Sequence, residues 1–285
     1  MATPETIHAS AVVDARARLG VGVRIGAFSV IGPEVTIEDG AEIGHHVVLE
    51  GRVVIGARAR IGHGAVLGGV PQDLKYRDGI PTGVRIGPGA VVREYVTIHR
   101  ATQPEAWTEV GQDCLIMAMS HIAHDCRLGA GVIVINYAGI TGHCQIGERA
   151  TIGGLTGIVP FTRVGAYAYV GGCSKVVLDV PPYLLVDGAP ATVHGVNVVG
   201  LRRAGMPAGD RRALQDAYRA LYRSGVSPRH AAERLREDAP GSAPVRHLIE
   251  FILSGRRGVC GPPRSDAGPV AAGEATGQGD GEYLA

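Results

Sequence analysis

Large aliphatic residues recur at intervals of six along the N-terminal half of the chain: Ile7, Val13, Leu19, Ile25, Ile31, Ile37, Ile43, Leu49, Ile55, Ile61 and Leu67. Four positions after each sits a small residue, beginning with Ala11 and Ala17 and ending with Ala59 and Ala65. Gly often follows the aliphatic, as in Ile25-Gly26 and Ile43-Gly44. The phase breaks over the nineteen residues from Leu67 to Ile86, where the polar, Gly- and Pro-rich GGVPQDLKYRDGIPTGVR reads as an inserted loop. The period returns at Ile86, Val92 and Ile98, is interrupted again around ATQPEAW at 101–107, and then holds for twelve positions from Val110 to Val176.

Twenty-six aliphatics lie on this grid. A helix of period 3.6 cannot hold a six-residue stripe on one face, whereas a short strand followed by a tight corner can. Three hexads make a triangular coil of about eighteen residues, and stacked coils share one aliphatic core. The pattern predicts about nine coils and a prism roughly 40 Å long at the ~4.8 Å strand spacing. Gly is expected to supply unusual backbone angles at the corners.

The hexad region is expected over 5–181, with inserted loops at about 68–85 and 99–109. Residues 182–256 then read as a Pro- and Gly-punctuated connector followed by three helices. The first carries Leu214, Tyr218, Leu221 and Tyr222 at helical spacing, with Gly225 as its stop. The second begins after Ser227 with Pro228 in its first turn and ends at Pro240. The third covers about 244–254. From 257 to 285 the chain is Gly, Pro and Ala with little to bury, and reads as a disordered tail.

Composition narrows the classes. Gly supplies 43 of 285 residues and Phe, Trp and Tyr together only 13, so the core must be Val, Ile, Leu and Ala. A formal net charge of +1 argues against nucleic-acid binding. No apolar run approaches the ~18 residues of a membrane span, and the N-terminus lacks the basic start and apolar block of a secretory signal. Five Cys without a CxxC pair fit a reducing cytoplasm better than a disulfide framework. Cys114, Cys126 and Cys144 occupy small-residue grid positions and read as packing.

Candidate chemistry concentrates in Ser120-His121-Ile122-Ala123-His124-Asp125-Cys126. His143 follows His124 by nineteen residues, one coil plus one, so the two should sit on neighbouring coils near one corner. Asp125 could orient the His124 imidazole for general-base work. The same histidines also read as solvated corner residues, or as a three-His metal site. A second candidate is the loop segment Gln72-Asp73-Leu74-Lys75-Tyr76, because a long loop leaving a rigid solenoid commonly binds ligands. Arg202 and Arg203 could bind phosphate or solvate the connector.

Taken in order, the IGxxVxIG repeats, PQDLKY, VTIHR, HIAHDC, VGGCS, DVPPY and GVNVVGLRR over about residues 5–256 resemble the UDP-N-acetylglucosamine acyltransferases that open lipid A biosynthesis. The resemblance implies an all-β left-handed parallel β-helix, a hexapeptide solenoid, followed by a small α-helical C-terminal domain. It implies a cytoplasmic homotrimer with active sites between subunits and no cofactor or metal. The implied reaction moves an (R)-3-hydroxyacyl chain from acyl carrier protein to the 3-hydroxyl of the UDP-sugar. An acidic carrier is compatible with the Arg excess on loops and helices.

By the same resemblance, His124 is the general base, Asp125 its carboxylate partner, and the Gly142 N–H the oxyanion donor. Asp73, Lys75, His121 and His143 match substrate-contacting positions. Asn197 and Arg203 match positions near the nucleotide, and Gly172 one that limits acyl length. The chain departs from the pattern in three places: Val159-Pro160 replaces His-Gln before Phe161, Val199 replaces a Glu, and Arg203-Ala204 replaces Arg-Arg. Alternatives left open are N-acylation of a 3-amino UDP-sugar, a metal-dependent hydratase and a scaffolding solenoid.

Overall fold

The computed structural model describes residues 6–237 and 241–263. Twenty-five short strands run from Val12–Val13 to Lys175–Val176, and each carries one grid aliphatic. Up to the last coil each strand pairs in parallel with the strand three places on, giving three faces. Face 1 begins at Val12–Val13, face 2 at Arg18–Leu19 and face 3 at Arg24–Ile25. Nine strands on face 1 match the expected nine coils. Register advances by eighteen residues, as in Val13↔Ile31 and Ile31↔Leu49, and stretches across the insertions, as in Leu67↔Ile98. The aliphatics and their small partners are almost all buried and form one continuous core of a left-handed parallel β-helix.

The corners differ from expectation. The residue three before the grid aliphatic is left-handed at most corners, and it is usually not Gly: Phe28 (φ 58°), Tyr95 (φ 56°), Met119 (φ 62°) and Leu155 (φ 58°) are examples. Each such residue costs roughly 1–2 kcal/mol, which burial of the adjoining aliphatics offsets. The Gly after the aliphatic serves space instead. At Gly56 a Cβ would lie 2.6 Å from Pro88 N and 2.8 Å from Ile86 O, so only a bare backbone lets the next coil close down.

Past the prism, the expected connector is more ordered than its punctuation suggested. An antiparallel hairpin, Leu184–Gly188 with Ala191–Val196, extends face 3 through Tyr169↔Leu185 and Val170↔Val186. Its alternating burial (Leu184, Val186, Ala191 and Val193 inside) is the reason. Among the described residues four helices follow where three were expected: α1 Val198–Arg203, α2 Ala208–Tyr222, α3 Pro228–Glu237 and α4 Ala243–Ser254. The short α1 carries too little apolar periodicity to be read ahead of the structure; Asn197 caps it by accepting the Gly200 N–H. Pro240, expected to end α3, lies outside the described residues.

The tail does not begin at 257. Asp179 bridges Val259, the Cys260 N–H donates to Asp179 O at 2.8 Å, and Cys260 is buried. Residues 264–285, the remainder of that expected tail, lie outside the described residues. No described helix is long and apolar enough to cross a membrane. All five cysteines are free. The Cys114 thiol is pushed up to about 11 by burial and donates to Gly129 O, in line with packing.

Gly56→Ala should destabilise the protein by about 1–3 kcal/mol through overpacking between coils. Gly209→Ala, in α2 where a Cβ meets nothing within 4 Å, should be neutral or stabilising. Denaturant midpoints of the two variants check this; equal midpoints would contradict the close-approach account.

Candidate active site

The candidate histidines and Asp125 gather along the edge where face 1 turns into face 2. The inserted segment 70–82 leaves the prism there, between the strands Val66–Gly69 and Gly83–Ile86. So does 100–106, one coil later, between Thr97–His99 and Trp107–Val110. The next three turns of the same edge carry 123–126, 141–144 and 159–162. The eighteen-residue register then sets two columns. His124, Gly142 and Pro160 form one; Asp125, His143 and Phe161 form the other. Backbone bonds tie them together: the His143 N–H donates to His124 O at 3.0 Å and the Phe161 N–H to Gly142 O at 3.1 Å.

His124 Nδ1 lies 2.8 Å from Asp125 Oδ2, and both side chains are largely buried. The Asp125 carboxylate also receives the Thr102 N–H (3.1 and 3.2 Å) and the Thr102 hydroxyl (2.7 Å). Burial pushes its pKa up, but the bonds from His124 and Thr102 outweigh this and hold it below the ordinary carboxylate value. A carboxylate only accepts, so Nδ1 carries a proton, and in the neutral imidazole the lone pair is then on Nε2. That ring lies over Gly142: a Cβ there would come within 2.5 Å of Cε1 and 2.7 Å of Nε2. Among the described residues, the Gly142 N–H meets no acceptor.

The surroundings keep the other imidazoles neutral. His143 meets His124 edge-on at 5.0 Å and stacks on Phe161 at 4.5 Å. Burial lowers its pKa, opposed by the Asp125 charge and, from the first inserted loop, by that of Asp73. His121 is lowered by burial and then by His124, and its Nδ1 lies 2.7 Å from Thr97 Oγ1. His99 meets His121 edge-on at 4.7 Å. Burial first, then His121 and His124, push His99 down to about 4. Thr102, Thr108 (whose Oγ1 accepts the Asp125 N–H), His99 and Phe161 were all missed in the sequence reading. The insertion at 100–106 hides the coil spacing that would have placed Thr102 beneath Asp125, whereas Thr108 lies seventeen residues before Asp125 in unbroken register and could have been counted.

A free base, a held carboxylate and an unpaired N–H on one edge suit acyl transfer to a hydroxyl. The comparisons with known proteins agree. The signature of UDP N-acetylglucosamine O-acyltransferase domain 2 matches residues 179–260, and that of the bacterial transferase hexapeptide matches 16–51 and 34–69. An acyl-[acyl-carrier-protein]–UDP-N-acetylglucosamine O-acyltransferase from Cupriavidus necator is 52% identical over 263 residues, 89% of this chain and 98% of that protein. One of the same name from Thermodesulfovibrio yellowstonii is 42% identical over 255 residues, again 89% and 98%. The chain belongs to this acyltransferase family. The solved LpxA structure from Acinetobacter baumannii superposes with a TM-score of 0.86 at 36% identity, over 90% of this chain and all of that one.

Not every residue matched to the acyltransferases comes to His124 within one chain. Asp73 does, through its field on His143. Lys75 sits on the same loop, its backbone N–H donating to Asp73 Oδ1 at 2.9 Å. Asn197 is tied to the edge between faces 2 and 3, where its Nδ2 donates to Tyr167 O at 2.9 Å. Arg203 closes α1 beside it. Gly172 lies exposed on the third edge, between faces 3 and 1. Donor atoms of His124, Asp125 and His143 lie within 4.8 Å of one another, a spacing open to a metal, but His124 Nδ1 and Asp125 are already bonded to each other.

Gly142→Ala should displace the His124 ring and cut acyl-transfer kcat about 100-fold; unchanged kcat would mean the ring does not act from above Gly142. His99 should give the fold an acid-sensitive contribution. Its folded pKa of about 4 lies below the ordinary 6.5, so the unfolded chain binds the extra proton. Stability from this group is present above pH ~6.5 and is lost as pH falls towards 4. His99→Gln should therefore flatten the fall in unfolding temperature between pH 7 and 5; parallel curves would contradict it.

Proposed function

We propose that the chain transfers an (R)-3-hydroxyacyl group from acyl carrier protein to the 3-hydroxyl of UDP-N-acetylglucosamine, the opening step of lipid A biosynthesis. The observation that carries the reading is His124 held at Nδ1 by Asp125 with Nε2 free over Gly142. In this mechanism His124 Nε2 takes the proton from the sugar 3-hydroxyl. The oxygen attacks the thioester carbonyl, and the Gly142 N–H donates to the oxyanion that forms. Collapse breaks the carbon–sulfur bond, and the thiolate takes the proton back from the imidazolium. Neutral His121 and His143 donate to the substrates, with Asp73 and Lys75 closing over them from the loop.

Asn197, Arg203 and Gly172 lie on the two other edges, so we assign their roles to sites completed by neighbouring copies of a homotrimer. A stripe of exposed large apolar residues along the edge between faces 3 and 1 supports that assembly: Phe28, Tyr95, Met119, Tyr137 and Leu155 are each 48–64% exposed. The free cysteines suit the cytoplasm. A Cβ at Gly172 would lie 3.3 Å from Gly154 O, a tight contact, so a bare residue keeps that edge open and we assign it to the far end of the acyl chain.

A mass-resolved assay should detect 3-hydroxyacyl transfer to UDP-N-acetylglucosamine, and His124→Ala should reduce it about 1,000-fold. Transfer only to the 3-amino analogue, or undiminished transfer by His124→Ala, would overturn the acceptor or the base respectively. Gly172→Met should shift the preferred acyl chain to a shorter one.

A further inference from the structure

The two catalytic columns do not stop at Pro160 and Phe161. They run into a pocket of about 440 Å³ between the end of the prism and the end of α4, lined by Phe161, Arg163, Asp179, Ser254, Arg256 and Arg257. Phe161, which stacks on His143, forms one of its walls. Three arginines and a single acid leave it strongly cationic.

The three arginines do different jobs. Arg163 is fully engaged. Its Nε donates to buried Asp179 at 2.7 Å, Nη1 to Ser254 Oγ at 3.1 Å and Nη2 to Phe251 O at 3.0 Å. It therefore pins the end of α4 to the prism. Arg257 reaches back and donates to the carbonyl of Pro160, the last member of the His124 column. Arg256 is exposed and has no partner among the described residues. The Arg256–Arg257 turn is fixed on both sides: by Arg163 before it, and by the Asp179 contacts to Gly258 O, Val259 and Cys260 after it. The turn's backbone and the Arg257 guanidinium are thus held in place, and Arg256 stands beside it with all its donors free, a partly preorganised arrangement for an anion.

We propose that Arg256 and Arg257 form a phosphoryl-binding subsite at the end of the catalytic edge. The proposal rests on the functional reading above for its ligand. Both proposed substrates carry phosphate: the sugar nucleotide as a diphosphate across the sugar ring from the 3-hydroxyl, the carrier protein at the root of its pantetheine arm. A guanidinium recognises either through paired N–H donors. Val159 and Pro160 present no polar side chain to this end of the edge, so the charge there comes from the C-terminal segment instead.

Equilibrium binding to the full-length protein, without turnover, tests the subsite separately from the mechanism. Two pairs of probes are compared: UDP with uridine, and pantetheine 4′-phosphate with pantetheine. The wild type should prefer the phosphorylated member of one pair, and Arg256→Gln/Arg257→Gln should lose about tenfold of that preference while leaving the neutral member unchanged. Arg256→Gln alone, which removes no described contact and so should not disturb folding, should lose at least about threefold. Loss in the UDP pair identifies the diphosphate as the ligand; loss in the pantetheine pair identifies the carrier arm. Preferences unchanged from wild type in both pairs, or absent from wild type, would overturn the subsite. A preserved UDP preference alongside absent acyl transfer would instead sink the functional reading.

Discussion

Each coil of the prism must settle directly on the one before it, with eighteen residues between equivalent positions and no side chain between the backbones where the glycines lie. That constraint organises the rest of the protein. It turns a six-residue hydrophobic grid into three flat faces and makes any residue and its partner eighteen positions on into neighbours. Asp125, His143 and Phe161 touch for this reason, as do His124 and Gly142. The proposed catalytic arrangement therefore rests largely on rigid stacking, with Asp73, Lys75 and Thr102 supplied by the inserted segments. Corners keep their left-handed residues, Asp125 (φ 59°) and His143 (φ 62°) included, because the buried aliphatics on either side over-determine the backbone.

On that frame the electrostatics follow from burial and a few hydrogen bonds. Thr102 and His124 together keep Asp125 ionised against its own desolvation. Asp125 in turn fixes the tautomer of His124. The neighbouring imidazoles, His99, His121 and His143, are pushed towards their neutral forms by burial first and by His124, which favours dipoles over competing cations around the base. One ionised carboxylate and one aimed lone pair are what general-base attack by a hydroxyl requires.

Much of this was legible in the residues alone. The grid aliphatics mark the strands, and the nineteen-residue gap from His124 to His143 placed both on one edge. What escaped has physical causes. An inserted segment breaks the arithmetic between Thr102 and Asp125, so Thr102 could not be counted to it. The repeat's Gly residues suggested corner flexibility, yet most corners use other residues and Gly56 is there for backbone contact. Val259 and Cys260, embedded in a Gly- and Pro-rich tail, pack against Asp179 through contacts that no local pattern announces. Asn197, Arg203 and Gly172 match the family's motifs but sit on other edges of the same prism, a separation that only the three-dimensional structure exposes.

Asp125→Asn tests the central claim most directly. Asn accepts the left-handed corner readily, and its Oδ1 can still accept the Thr102 N–H while the Thr102 hydroxyl turns to accept from the amide; the amide N–H facing His124 Nδ1 would then force the proton onto Nε2 and occupy the lone pair that the proposed mechanism needs. In Asp125→Asn, kcat for acyl transfer should fall about 10⁴-fold, with the unfolding temperature close to that of the wild type. Activity within threefold of wild type in a folded Asp125→Asn protein would show that the carboxylate does not set the state of His124, and the mechanism built on that pair would fail.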